Sequence, residues 1–397
     1  MGNLTTVETS KSSIARKDDR RAIQIMIFPS MPLLIIDTMQ FPLTFDQGDV
    51  EDFNQQFIAV LQDLRRDVQN KGVDLSGYDH NYLERLRDIG KVAYNRVLPP
   101  AARSRIAELE TQEQKRGISL TFKTSPTSRL FWEMLYTGKP FDIQSDQFWG
   151  FRYPLGRTYW EIKAPDRVRL QSGVFSAIHD GLKFSRQEVE QLTQHLTATG
   201  QRLGLKLVLH LLEQVIPAER LSVERLLELF HSSEFCYGIV HFACHVENPE
   251  DAGATQAYLS FTAHKNRLEM CLGKLVACEE YSFANQPFVF LNACGSATPG
   301  HLLQTLSFPT GVLNFGAGGV IATACTIPDN FASAFASELY RRLLKHSEEE
   351  KSHHPVWSNI GEALLETRLH FLEEYNNPLG LAYGLYAVSN QQLRLID

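Results

Sequence analysis

The spacing of apolar and polar positions predicts helices and strands along almost the whole chain. Residues 23–36 form an apolar run interrupted at Pro29 and Pro32, which predicts strand material on either side of a turn. Phe53, Phe57, Val60, Leu61, Leu64 and Val68 recur at helical spacing with charges between them, the mark of an amphipathic helix. A second helix is expected over residues 82–97, with Leu83, Leu86, Ile89 and Ala93 on one face. Pro99 and Pro100 stop it, and a third helix follows from Ala101. A short strand at 118–123 leads to residues 130–136, read as a compact aromatic helix ended by Gly138. The aromatic residues of 148–153, with Tyr159 and Trp160, close this first half.

The second half alternates strand and helix. Residues 168–176 read as a strand, and Ser185 with Glu188 reads as a capping box for a helix carrying Val189, Leu192 and Leu196. The apolar run 205–212 fits strand or helix, and a helix follows at 222–231. Strands are expected at 237–244, 288–293 and 319–325, and helices at 330–345 and 356–375. Strands without polar alternation, separated by helices, imply an α/β fold with a mainly parallel sheet covered on both faces. Reactive groups in such sheets collect at the carboxyl ends of the strands. The chain shows no internal repeat and no low-complexity linker.

Composition narrows the class. At about 150 residues per domain, 397 residues suggest two or three structural units. With 43% hydrophobic and 21% charged residues, the chain has ample apolar material for a core. A net charge of −7 and a pI near 6.0 argue against direct nucleic-acid binding or coating of an anionic membrane. Six cysteines without a Cys-x-x-Cys pair are too sparse for a disulfide scaffold. The N-terminus lacks the apolar core of a signal peptide, and no stretch reaches the roughly 18 apolar residues of a spanning helix. A cytoplasmic protein with residues 1–22 as a flexible tail is expected. Met1, Gly2 and Asn3 followed by Thr5 and Thr6 touch the N-myristoylation pattern, which is often matched by chance. The average charge conceals one feature. No Asp, Glu, Lys or Arg occurs from Tyr281 to Pro328, where about ten would be expected from the chain's mean density. Glu280 and Asp329 bracket this gap, and its Pro, Gly, Ser and Thr mark it as a buried centre rather than a membrane segment.

Two segments share one design: an apolar strand ending in His245, and another ending in Cys294 before a small-residue turn. On neighbouring parallel strands the two side chains would meet at the sheet edge. An imidazole beside a thiol can lower its pKa or protonate a leaving amine. Cys236, Cys244, Cys271, Cys278 and Cys325 read instead as small buried apolar residues. A zinc site from His241, Cys244, His245 and Cys294 is weak, because alternation points Cys244 away from both histidines. Gly316, Gly318 and Gly319 precede a strand and read as tight packing rather than a phosphate loop. Neither a metal nor a cofactor is expected.

His-Phe-Ala-Cys-His at 241–245 and Leu-Asn-Ala-Cys-Gly-Ser-Ala at 291–297 resemble the two catalytic blocks of CHAT domains, caspase-like cysteine peptidases related to separase. Residues 82–99, 130–136, 150–154, 319–329 and the segment from Asn377 to Val388 resemble further blocks of that family, so the likeness covers roughly residues 25–397. The resemblance implies one large caspase-like unit, with an N-terminal subdomain at 23–165 and a catalytic subdomain at 166–397. It implies an endopeptidase with Cys294 as nucleophile and His245 as acid/base, needing no third member. The backbone N–H groups of Val246 and Gly295 would form the oxyanion hole, although the family usually has Gly where this chain has Val246. Asp329, with Asn292, would line an S1 pocket selecting Arg or Lys; Asp329 also reads as a helix N-terminal acid. The family's tryptophan before this acid is missing here, which is expected to change the pocket's shape. The partners implied are a protein substrate and a protein activator or inhibitor, with neither nucleic acid nor membrane. Arg341, Arg342, Lys345 and Lys351, beside a Ser-Glu-Glu-Glu stretch, form a candidate processing region. Bacterial relatives of this kind resemble immune effectors in CRISPR-linked proteolytic cascades. The alternative is a catalytically silent scaffold or adaptor, a reading that Val246 favours.

Overall fold

Ile23, Ile25 and Ile27 alternate with more exposed residues, and this period of two makes a half-buried strand, β1 (Arg21–Phe28). The chain turns back through β2 (Leu33–Ile36) and β3 (Met39–Pro42), both antiparallel. β1 therefore begins at Arg21, inside the segment expected to be a tail. The computed structural model describes residues 20–28, 31–125, 130–247, 257–277, 280–293, 307–345 and 357–395. The rest of the expected tail, with Gly2, lies outside these residues.

The three expected helices follow as Gln47–Lys71, Tyr82–Val97 and Pro100–Gln112. The first is capped by Asp46, whose carboxylate accepts the Asp49 N–H while Asp49 accepts the Asp46 N–H. β4 (Ile118–Thr124) and β5 (Leu155–Tyr159) then join β1 in parallel, giving a sheet of order β3-β2-β1-β4-β5. Residues 130–136 are not the helix that was expected. Only Trp132–Met134 forms a single 3-10 turn, and all seven side chains of the run are buried. A segment enclosed on every side has no solvent face to make a helix amphipathic, and its shape follows its neighbours. Trp132 stacks on Phe122 with ring centroids 4.0 Å apart. Glu133 pairs with Arg157 and, at 3.3 Å, with Arg368 from the other half of the chain.

β6 (Arg167–Arg169) leaves for a small separate sheet, and the central sheet starts at β7 (Gly173–Ile178). The expected single strand at 168–176 is thus two. The chain bends at Gln171, φ 48°, and Gly173, φ 129°, where a side chain would also collide with the Val208 carbonyl. The ambiguous run 205–212 resolves into β8 (Val208–Leu211) and one helical turn. β9 (Ile239–Glu247) follows, then β10 (Tyr258–Ala263) and β11 (Asn266–Cys271). β12 (Phe288–Ala293) and β13 (Gly319–Thr323) complete the parallel part. The expected helix at 356–375 begins instead with β14 (Trp357–Asn359), and its helical part is Ile360–Tyr375, capped by Asn359. β15 (Tyr383–Tyr386) closes one side of the central sheet. β16 (Gln392–Arg394) pairs with β14 and β6.

In the central sheet β8, β7, β9, β12 and β13 run parallel, as the pattern implied, and β15 runs antiparallel beyond β13. One edge of β9 is shared. β7 pairs with residues 239–243, and β10 takes over at His245 as the first strand of an antiparallel hairpin. Within the apolar strands, side chains alternate between two cores. Ile239, Phe288, Phe290 and Ile321 face the helices Ser185–Leu203, Asp329–Leu343 and Ile360–Tyr375. Val240, Phe242, Val289, Leu291 and Val320 face Val223–His231 and Ser307–Asn314. The first core continues without a break into β1, β4 and the N-terminal helices. Among the described residues no helix is long and apolar enough to cross a membrane.

Replacing Glu133 by Ala leaves two guanidiniums buried without their carboxylate, which costs about 3–5 kcal/mol. Urea unfolding is the measurement, and a loss well under 1 kcal/mol would show that these charges do not join the two halves.

Candidate active site

β9 and β12 are the strands carrying the two sequence blocks, and they are parallel neighbours. Their register runs from Ile239↔Phe288 to Cys244↔Ala293. The next residue on β9 is His245, which is half-buried, and the residue that follows Ala293 in the sequence is Cys294. Cys294 and Gly295 lie outside the described residues. β9 does not stop at His245, as expected, but runs to Glu247, because β10 supplies a new partner there: His245 lies opposite Ser260 and Val246 opposite Leu259.

A turn at residues 179–184 surrounds His245, and the sequence pattern did not single it out. After β7 the His179 N–H donates to the Ala243 carbonyl at 2.8 Å, which carries the pairing one residue further. The His179 ring stands edge-to-face with His245, centroids 4.4 Å apart at 75°. Its Nδ1 accepts the Gly181 N–H at 3.0 Å. The Asp180 N–H donates to Thr262 Oγ1 on β10. The Lys183 N–H donates to an Asp329 carboxylate oxygen at 2.9 Å. Burial, with His245 and Arg267 nearby, holds the His179 pKa below that of an ordinary histidine; Glu247 and Asp180 oppose this. The expected strand at 168–176 ended too early to mark His179 as a strand-end residue.

Asp329 is the first residue of the Asp329–Leu343 helix and is half-buried. Its carboxylate therefore joins that helix to the histidine turn. Asn292 is fully buried behind the sheet edge. Its Nδ2 donates to Glu188 Oε1 at 2.6 Å and to the Ala332 carbonyl at 3.0 Å, and its Oδ1 accepts the Tyr383 hydroxyl at 2.8 Å.

Glu188 is the residue whose role was misread. Ser185 caps nothing: Phe184 is the N-cap, and Ser185 Oγ donates back to the His179 and Leu182 carbonyls. Glu188 points inward, and its Oε1 lies 2.8 Å from His241 Nε2 as well as on Asn292. His241 Nδ1 is 3.1 Å from the Tyr340 hydroxyl. Burial, with Glu188 nearby, keeps that hydroxyl protonated. The network thus spans two helices, β9, β12 and β15.

Cys244 faces the opposite core, as alternation required, and burial pushes its thiol far above the ordinary range. The Cys325 thiol is pushed up to about 12 by burial. Both are packing residues, whereas Cys236 is exposed and Cys271 half-buried, so neither is the buried residue that was expected. Cys278 lies outside the described residues. Among the described residues no cluster of His, Cys, Asp and Glu could hold a metal ion. Arg341 and Arg342 end the Asp329–Leu343 helix, both bound to Glu338, with Arg342 also 2.7 Å from Glu366. Lys345 is exposed, and Lys351 lies outside the described residues.

The family model described as CHAT domain matches residues 92–376. No curated protein matches the chain. Among solved structures, the chain is similar to the Arg-specific cysteine proteinase gingipain R, at 13% identity and a TM-score of 0.48, covering 97% of this chain and 81% of that one. The complex of Porphyromonas gingivalis RgpB pro- and mature domains matches at 12% identity and a TM-score of 0.46, covering 94% of this chain and 79% of that one. The Saccharomyces cerevisiae separase–securin complex matches at 14% identity and a TM-score of 0.39, covering 89% of this chain and 23% of that one.

Asn292→Ala strands Glu188 and Tyr383 and is expected to cost about 1–3 kcal/mol in urea unfolding. Asp329→Ala removes a charged acceptor, so hydrogen exchange at the Lys183 amide should rise about tenfold, while Asp329→Asn retains most of the protection. Unchanged exchange in the alanine variant would show that this contact does not hold the turn.

Proposed function

We propose a cysteine endopeptidase: the chain belongs to the CHAT domain family, and Cys294 and His245 are its nucleophile and acid/base. The supporting observation is the parallel β9/β12 register, whose last pair is Cys244↔Ala293, one residue before His245 on one strand and Cys294 on the other. In this reading His245 takes the thiol proton and the thiolate attacks the scissile carbonyl carbon. The tetrahedral oxyanion is held by the backbone N–H groups of Val246 and Gly295. His245 then returns its proton to the leaving amine, and water, deprotonated by His245, hydrolyses the acyl-enzyme.

The proposed substrate is a protein cut after Arg or Lys, with Asp329 as the selecting carboxylate and Asn292 buried behind the pocket. A carboxylate in apolar surroundings favours a cationic partner because an unpaired buried charge is costly. No Arg or Lys occurs in either sequence block, which disfavours selection of an acidic residue. Regulation is assigned to a protein activator or inhibitor, or to cutting in the segment carrying Arg341, Arg342, Lys345 and Lys351. The proposed setting is the cytoplasm, in bacterial antiviral defence, in keeping with the cysteine usage and the family resemblance.

A second reading, a silent scaffold, is favoured by Val246, a non-glycine residue held inside the β9/β10 ladder. A peptidyl-Arg electrophile separates the two. The endopeptidase is labelled at Cys294, whereas a scaffold is not. Cys294→Ala and His245→Ala should each lower partner cleavage at least about a thousandfold. Cleavage that survives Cys294→Ala sinks the assignment. Asp329→Asn should lower kcat/KM for an Arg peptide by about a hundredfold, and far less for a neutral one.

A further inference from the structure

The His179 ring is placed with more care than a bystander needs. Its backbone is fixed on both sides, by the N–H on Ala243 and by the carbonyl accepting Ser185 Oγ. Its ring meets His245 edge-to-face. Gly181 supplies a backbone N–H to Nδ1, and a Cβ at Gly181 would sit 2.8 Å from that same nitrogen and 3.8 Å from His245 Nε2. A side chain at Gly181 would crowd the His179 ring, while the distance to His245 is an ordinary contact.

We propose that His179 is a positioning residue for His245: locked as the neutral Nε2–H tautomer, it walls the His245 ring and confines the catalytic proton to it. The proposal rests on the peptidase reading above. A ring nitrogen that accepts an N–H bond carries no proton, so the neutral His179 proton is on Nε2. Protonating Nδ1 would set two N–H groups against each other. A second positive charge 4.4 Å from an imidazolium is also opposed by Coulomb repulsion. The charged groups around the pair pull both ways, and burial is the largest influence against a second cation. Arg267 on β11 disfavours a further cation, while Glu247 on β9 and Asp180 in the turn favour one. Asp180 is bound to Arg186, and Arg267 to Glu247. Asp329 is reached through Lys183, and Cys294 follows β12. The proton taken from Cys294 therefore stays on His245, where the leaving amine needs it, and cannot pass to His179.

Nitrogen-15 NMR of the full chain labelled at histidine tests the lock. His179 should keep the shifts of the neutral Nε2–H tautomer from pH 8 to pH 5.5, while His245 titrates. Titration of His179 at or above the pH at which His245 titrates overturns the proposal. Alkylation of Cys294 by iodoacetamide, followed by peptide mapping, tests the coupling without a substrate. His179→Ala should slow alkylation at pH 7 about tenfold, and His179→Phe, which keeps the wall, should recover most of the loss. If His245→Ala slows alkylation and His179→Ala does not, His179 is no positioning residue and the peptidase reading stands. If His245→Ala reacts as the wild type does, the dyad itself fails and the proposal falls with it. Should the alanine variant not fold, the NMR titration and the phenylalanine variant still decide the question.

Discussion

A buried carboxylate ties together β9 and β12, the two parallel strands at the candidate site. Glu188 reaches from its helix to His241 on β9 and to Asn292 on β12. A carboxylate inside a core is tolerated only when its oxygens are paired, so these contacts constrain every element that provides them. The constraint is directional. His241 precedes His245 by four residues along β9, a spacing that keeps the strand face. Slipping either strand by one residue would strand Glu188 in the core and turn its histidine or asparagine to the other side. The network therefore enforces the register that the proposed chemistry requires.

Above this network, a short turn does the corresponding work at the sheet edge. Residues 179–184 give backbone N–H groups to β9, to β10 and to Asp329, and give one ring to His245. Three elements, β9, β10 and the Asp329–Leu343 helix, are thereby referenced to one another through a few hydrogen bonds. β10 matters for the same reason. By replacing β7 as the partner of β9 at His245, it keeps the histidine inside a ladder rather than on a frayed end. Groups held by a ladder and a capped turn lose little orientation when a substrate arrives.

The order of helices and strands was legible because burial on one or both faces leaves a period in the sequence. The alternation that set Cys244 apart from His241 and His245 was legible for the same reason, and the two cores of the central sheet bear it out. What failed was local pattern applied to residues with long-range partners. Ser185 and Glu188 match a capping box, yet Glu188 is claimed by His241 and Asn292, far along the chain. Residues 130–136 look helical, yet Phe122, Arg157 and Arg368 shape them. His179 left no local signal, since its importance comes from a ring 66 positions away.

The sequence by itself determined the α/β class, most of the elements, the two blocks of candidate chemistry and the charge-free centre at 281–328. All of these follow from residue type and short spacing, which a single chain displays directly. Only the tertiary structure decided that Glu188 is a core residue, that β9 runs past His245 and that His179 and Asp329 meet the same turn. Those facts depend on which distant groups come within about 3 Å of one another, and hydrogen-bond energy falls too steeply with distance for spacing along the chain to encode it.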